Sequence, residues 1–189
     1  KNLIGFDNGV IDLKYESMDQ HNNVNKETIF RQGRPDDYVS LSVGYSLPID
    51  KSDMPVNIDK IKENIVHIND YESLNADLDD FIEKVLPNQD VRDYTLRFLS
   101  SCLSGEVREE KFYFWTGSGG NGKSKLVDLV EFALGEYSKS MDVSYLTTKR
   151  GSSSSASPEL ENIKKARFVW MSEPEKQDTI YGGKLKLMT

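Results

Sequence analysis

Residues 117–124 read Gly117-Ser118-Gly119-Gly120-Asn121-Gly122-Lys123-Ser124, an uninterrupted G-x-x-x-x-G-K-[ST] phosphate-binding pattern. The flanks agree with it. The apolar run Phe112-Tyr113-Phe114-Trp115 precedes the loop, and Leu126, Leu129, Val130 and Ala133 follow it at helical spacing. Strand, glycine-rich turn and helix is the order in which such a loop works. Residues 112–115 are therefore expected to be a buried central strand feeding the loop, rather than a base-stacking platform.

The residue types explain the chemistry. Glycines at 117, 119, 120 and 122 tolerate positive φ and leave no Cβ in the way of a phosphate. Successive backbone N–H groups can then form a concave anion site. A helix opening near Gly122 adds its unpaired N–H groups and the positive end of its dipole. Lys123 is placed to reach the β- and γ-phosphates, and Ser124 to offer its hydroxyl to Mg²⁺. The pattern calls for a nucleotide without saying which one.

With 189 residues, the chain has room for one medium domain, or for one domain and a smaller neighbour. Net charge is −7, with 31 acidic against 24 basic side chains. No domain-wide basic field exists, which argues against a nucleic-acid coat but leaves room for a local basic path. The single cysteine, Cys102, excludes an internal disulfide framework and fits a reducing, intracellular setting. No apolar run approaches the ~20 residues that span a bilayer, so no membrane association is expected. The chain opens at Lys1 rather than Met and closes at Thr189, which reads as a fragment of a longer polypeptide.

Outward from the loop, Leu3-Ile4-Gly5-Phe6 and Val10-Ile11-Asp12-Leu13 flank Asp7-Asn8-Gly9 and predict a hairpin on the Asn-Gly pair, with Asp7 as a turn residue. Residues 14–36 read as polar and turn-rich. Residues 38–43 alternate like a half-buried strand. Residues 46–70 read as a loop with a short helix. Leu78, Phe81, Ile82, Val85 and Leu86 repeat at helical spacing up to Pro87, and a second helix opens at Asn88 or Asp90, with Gly105 as its cap. The polar break at 106–110 suggests a division there, giving residues 1–105 and 106–189. The helix behind the loop should end at Gly135, and Met141-Asp142-Val143 is a candidate second strand. Residues 151–155 are Gly-Ser low complexity. Ser157-Pro158-Glu159 starts a helix running to Ala166, and Phe168-Val169-Trp170-Met171 reads as a short buried strand.

That strand leads into Ser172-Glu173-Pro174-Glu175. An acid at the carboxyl end of an apolar strand, downstream of a phosphate loop, suits the metal-site acid of an NTPase. Glu173 could hold Mg²⁺ through its waters and polarise an attacking water. Glu175 is a second candidate beyond Pro174, and ordinary solvated glutamates are the alternative for both. His21 and His67 stand in polar contexts without a second ligand pattern and read as exposed. Lys149-Arg150 and Lys164-Lys165 read as solvated faces.

The phosphate loop, with Asn between its glycines, resembles that of superfamily 3 helicases, the ring-forming ATPases of viruses, phages and plasmids. Residues 166–175 resemble the acidic motif of the poxvirus and giant-virus primase–helicases. Leu185-Lys186-Leu187-Met188-Thr189 resembles the opening of that family's next motif, and Gly5-Phe6-Asp7-Asn8-Gly9-Val10-Ile11-Asp12-Leu13 resembles the start of the segment preceding its helicase. The resemblance implies a P-loop α/β core of the AAA+ kind, truncated at its C-terminus, behind a smaller α+β and helical lead-in region. It implies ATP and Mg²⁺ as cofactors, with hydrolysis coupled to movement on single-stranded DNA at a replication fork. It also implies a homohexameric ring, a primase domain upstream in the full polypeptide, and a setting in host cytoplasm or a viral replication site. The residues it carries over are Gly117, Ser118, Gly119, Gly120, Asn121, Gly122, Lys123 and Ser124 around the nucleotide, Lys123, Glu173 and Glu175 in catalysis, and Ser124 and Glu173 at the metal. The family's sensor, arginine finger and DNA hairpin are expected beyond Thr189, with Lys184 and Lys186 on the approach. An arginine finger is worth ~10³–10⁵ in rate, so the 189 residues alone are expected to hydrolyse ATP poorly.

Two other classes share parts of this pattern. A nucleoside or small-molecule kinase would use the same loop, but no arginine cluster follows it here. A non-enzymatic nucleotide-binding interaction module would use residues 1–105 for docking. A GTPase would need an Asn-Lys-x-Asp motif, which Asn25-Lys26-Glu27-Thr28 does not supply.

Overall fold

The computed structural model describes residues 2–18, 24–66, 70–106, 111–149 and 158–188. His21, His67, Arg150, the Gly-Ser run, Ser157 and Thr189 lie outside the described residues. The fold is mixed α/β, with a four-stranded antiparallel sheet and a separate parallel pair.

The antiparallel sheet holds β1 (Leu3–Phe6), β2 (Gly9–Met18), β3 (Val24–Arg31) and β4 (Val56–Asn57) in sequence order. The first hairpin is present, but its tight turn is Asp7-Asn8, with Phe6 opposite Gly9. Neither turn residue has positive φ, so Asn8-Gly9 does not fill the two central positions. Tertiary contact decides this. The Asn8 carboxamide donates to the Leu47 carbonyl at 2.7 Å and accepts from the Leu47 N–H at 3.1 Å. Gly9 is needed elsewhere, because a Cβ there would stand 2.7 Å from the Arg31 carbonyl oxygen.

Residues 14–36, expected to be turn-rich, instead supply most of the β2–β3 ladder. Its outer half is mostly polar and nowhere fully buried, so no hydrophobic alternation marks it. Opposed charges set the pairing there, with Glu16 directly across from Lys26 at 3.3 Å. Residues 38–43, expected to be a strand, join no ladder. The Val43 N–H donates to the Gly5 carbonyl at 2.9 Å, while Ser42 donates to the Glu136 carboxylate at 2.7 Å and accepts from the Glu136 N–H at 3.1 Å. Bonded to two different segments, this stretch cannot form a continuous ladder with either.

Three helices follow: α1 (Ile58–Val66), α2 (Tyr71–Val85) and α3 (Gln89–Ser101). Asn88 caps α3 by accepting from the Val91 N–H at 3.1 Å. The C-cap of α3 is Cys102 rather than Gly105, with the Cys102 N–H bonded to the Phe98 and Leu99 carbonyls. Behind the phosphate loop runs α4 (Lys123–Leu134), closed as expected by Gly135. Next come β5 (Ser138–Ser140), α5 (Ser144–Thr147), α6 (Pro158–Asn162), β6 (Phe168–Trp170) and α7 (Gly182–Met188). The second strand is polar Ser-Lys-Ser, three residues ahead of the apolar Met141-Asp142-Val143. Its backbone pairs with β6, and its side chains add little hydrophobic signal. The helix expected to reach Ala166 stops at Asn162, and Lys165 follows at φ +72°.

Residues 112–115 are not in a ladder. Tyr113 stacks on Phe98 of α3 with ring centroids 3.8 Å apart, while Phe114 is 65% exposed. Tyr113 thus packs its ring on α3, against Phe98 and Tyr94.

One core cluster joins Ile4, Val43, Cys102, Val130, Leu134, Tyr137 and Phe168, so it draws on residues before and after position 106. A second surrounds Phe30, Ile49, Val56 and Ile61, and Phe6 and Ile11 pack against both. Burial pushes the Cys102 thiol up to about 11. Near pH 8 it is therefore protonated and unreactive. A thiol reagent at that pH should label the folded protein only as fast as it opens, and label the denatured protein within seconds.

Two arginines, one buried and one half-buried, brace the fold. Arg31 is 7% exposed. Its Nε and Nη2 donate to Asp12 Oδ2 at 3.2 and 3.1 Å, and its Nη1 and Nη2 donate to the two Asp37 oxygens at 3.0 and 2.8 Å. Arg167, just ahead of β6, donates to the Leu103 and Leu3 carbonyls and lies 4.5 Å from the Tyr137 ring centroid. It ties β1, the end of α3 and β6 together. Burial pulls its pKa down from the ordinary value.

Candidate functional site

The phosphate loop turns on two glycines, Gly120 at φ +75° and Gly122 at φ +83°. Gly122 is the N-cap of α4, and no side chain caps that helix end. The helical ladder begins with the Leu126 N–H donating to the Gly122 carbonyl at 3.0 Å. The N–H groups ahead of it have no intrahelical acceptor, so they are left for an anion. A Cβ on Gly119 or Gly120 would meet nothing within 4 Å. The rim of the loop is thus open, and the N–H groups at the helix start are donors of the kind a phosphate would take.

The other two glycines are crowded. A Cβ on Gly122 would stand 2.6 Å from Val85 Cγ2, at the end of α2. One on Gly117 would stand 2.4 Å from Asn121 Nδ2 and 3.3 Å from Lys123 Nζ. Lys123 Nζ itself donates to Asn121 Oδ1 at 2.8 Å. Ser124 is exposed on the first turn of α4.

The second half of the site follows from topology. A one-turn 3₁₀ segment, Gly135–Tyr137, joins α4 to β5, and the helix packs against that strand. β5 and β6 are parallel, so their carboxyl ends share one edge of the pair. Glu173 is exposed three residues beyond β6. Glu175 stands farther along, in a turn closed by its own N–H to Asp178 Oδ2 at 3.1 Å and by the Asp178 N–H to its carbonyl at 2.9 Å. Among the described residues, no hydrogen bond or ion pair joins either glutamate to the loop. Among those residues, too, no group of three or more His, Cys, Asp or Glu side chains could cage a metal.

Of the basic side chains near the C-terminus, Lys184 is engaged. Its Nζ donates to the Tyr145 carbonyl at 2.6 Å and lies 4.7 Å from the Tyr145 ring centroid. Lys186 is exposed on α7. Spacing gave no sign of the Asn121 side-chain contacts, of Val85 against Gly122, or of the Arg167 clamp. Each pairs residues that only the folded chain brings together. Among the described residues, no helix is long and apolar enough to cross a membrane.

No protein-family model matches the chain. Against curated proteins it is 42% identical over 187 residues, 99% of its length, to a protein of Acanthamoeba polyphaga mimivirus named as a candidate helicase. It is 34% identical over 122 residues to a similarly named protein of Frog virus 3, covering 64% of the chain. It is 26% identical over 108 residues to a protein of African swine fever virus named as a candidate primase, covering 57% of the chain. The chain spans 16%, 12% and 11% of the lengths of these relatives.

Proposed function

We propose, from the kinship of this chain with the helicase and primase proteins of large DNA viruses, that it is a segment of an ATP-driven DNA helicase of viral genome replication, of the superfamily 3 type. The continuous 42% match along 99% of the chain carries the reading. The open loop at the head of α4 supports it, together with an exposed acid, Glu173, three residues beyond β6.

In this reading residues 106–189 belong to an incomplete P-loop ATPase core and residues 1–105 to its lead-in. The loop N–H groups and Lys123 bind the β- and γ-phosphates of ATP. The Ser124 hydroxyl and, through water, the Glu173 carboxylate hold Mg²⁺, which offsets phosphate charge during hydrolysis. Glu173 also orients the attacking water, with Glu175 as a second acid. Single-stranded DNA is the track, a homohexameric ring the assembly, and a primase domain the upstream neighbour. With a net charge of −7, DNA contact is confined to a local path. Work inside an infected cell, in the cytoplasm or at a viral replication site, completes the reading.

ATP binding in Mg²⁺ tests it, with hydrolysis followed with and without single-stranded DNA. Lys123→Ala removes a charge-assisted contact worth about 1.5–3 kcal/mol, so affinity for ATP should fall about 10–100-fold. DNA should raise turnover in the wild type alone. ATP binding without any response to DNA would favour a kinase or a regulatory module, and no ATP binding would overturn the nucleotide reading.

A further inference from the structure

We infer that the Asn121 side chain is a positioning residue that aims the Lys123 amine across the mouth of the phosphate loop. The inference rests on the nucleotide-binding reading and adds a role for a side chain that the loop pattern leaves unspecified. Three observations carry it. Lys123 Nζ donates to Asn121 Oδ1 at 2.8 Å. The Nδ2 end of the same carboxamide lies against Gly117, 2.4 Å from where a Cβ would stand. Lys123 Nζ is 3.3 Å from that same point. The first glycine of the loop, the carboxamide and the amine thus meet at one place, and glycine at 117 leaves the other two room there without either having to shift.

The donor count makes this useful to a ligand. An ammonium group has three N–H donors, and Asn121 takes one. The other two stay free for phosphate oxygens, while the bond restrains a long side chain with about 2 kcal/mol of rotamer entropy to lose. A neutral carboxamide accepts without adding negative charge beside the phosphates, which a carboxylate would do. Asn at this position is therefore argued from the acceptor it offers and the charge it lacks, and Gly117 from the room it leaves.

The test uses the full chain in two measurements, after thermal melting has shown that the variants fold. First, the labelling rate of Lys123 by an acetylating reagent is read by mass spectrometry without nucleotide. Asn121→Ala should raise it about 2–5-fold, since the amine loses an acceptor of ordinary hydrogen-bond strength. Equal rates would overturn the inference. Second, ATP affinity in Mg²⁺ is measured by calorimetry for the wild type, Asn121→Ala, Lys123→Ala and the double variant. Asn121→Ala should weaken ATP about 3–10-fold in the wild-type background and have no further effect once Lys123 is gone. A loss of equal size in both backgrounds, or no loss at all, would overturn it. Failure of the wild type to bind ATP appears before any variant is compared, and it removes the nucleotide reading together with the inference.

Discussion

Arg31→Met should destabilise the protein by about 3–5 kcal/mol at pH 7, the range for breaking a buried ion pair by removing one partner. The guanidinium is nearly inaccessible and donates to Asp12 and Asp37 from three nitrogens. Met conserves most of the volume and the apolar stem. What it leaves behind is two inward-facing carboxylates with no cation between them. Asp37 keeps a bond from the Arg34 N–H at 2.6 Å, which cannot replace a bidentate charged partner. Arg31→Lys should recover only part of the loss, since an ammonium cannot fork to two carboxylates. Equilibrium denaturation of the three proteins measures this.

The pH dependence fixes the cause. The Arg31 guanidinium, opposed by burial and helped by the Arg34 backbone, holds the Asp37 carboxyl below the usual carboxylate range. A lowered folded pKa means that the pair's contribution is fully present above the ordinary carboxylate pKa near 4. It is lost as pH falls through the lower folded value. The stability gap between wild type and Arg31→Met should therefore be flat from about pH 6 to 8 and narrow below about pH 4. A gap that stays constant down to pH 3 would assign the loss to packing rather than charge.

Asp12 shows how much of the chain could be read in advance and where reading stopped. Its place in the N-terminal motif was visible in the sequence, but the strand that carries its partner was not. Arg31 ends β3, whose outer half is exposed and mostly polar, so no alternation gave it away. The loop, α4 and the Gly135 stop were legible, because glycine conformation and helical spacing are local properties of the chain. The α2–α3 pair was legible for the same reason, with Pro87 and the Asn88 cap between the two helices. The strand failures are non-local. Residues 38–43 alternate well but bond to two separate segments. Residues 112–115 have strand composition yet rest on α3 through Tyr113. In β5, pairing with β6 selected Ser138-Lys139-Ser140 over the more apolar residues behind it. At the site, the residue types of the loop could be read from spacing, whereas the contact of Asn121 with Gly117 and Lys123 depends on how the loop closes.

Gly135→Ala should be at least as damaging, at about 3–6 kcal/mol, combining a glycine-only backbone conformation with overpacking that cannot relax. Gly135 sits at φ +51° and ψ −126°. A Cβ there would lie 2.2 Å from the Val43 carbonyl oxygen, 2.5 Å from its carbon and 2.7 Å from its Cα. These are backbone atoms with little freedom to retreat. Val43 is tied to Gly5 at 2.9 Å, and Glu136 holds Ser42 through both its backbone and its carboxylate. Gly44→Ala is the control. Its φ is +83°, but its Cβ would meet nothing within 4 Å, so it carries only the ~1–2 kcal/mol of a left-handed residue. If the two variants lose the same stability, the close approach to Val43 is not what the glycine serves. The contact also bears on the site. Helix α4 is held at its far end by Gly135 against Val43 and at its near end by Gly122 against Val85. The helix that carries Lys123 and Ser124 is thus fixed at both ends where a side chain is missing. A variant that dislodges the far end should weaken ATP binding as well as folding, by shifting the N–H groups that face the phosphates. A Gly135→Ala protein that melts early yet binds ATP with unchanged affinity when cold would separate the two and limit the Gly135 contact to stability.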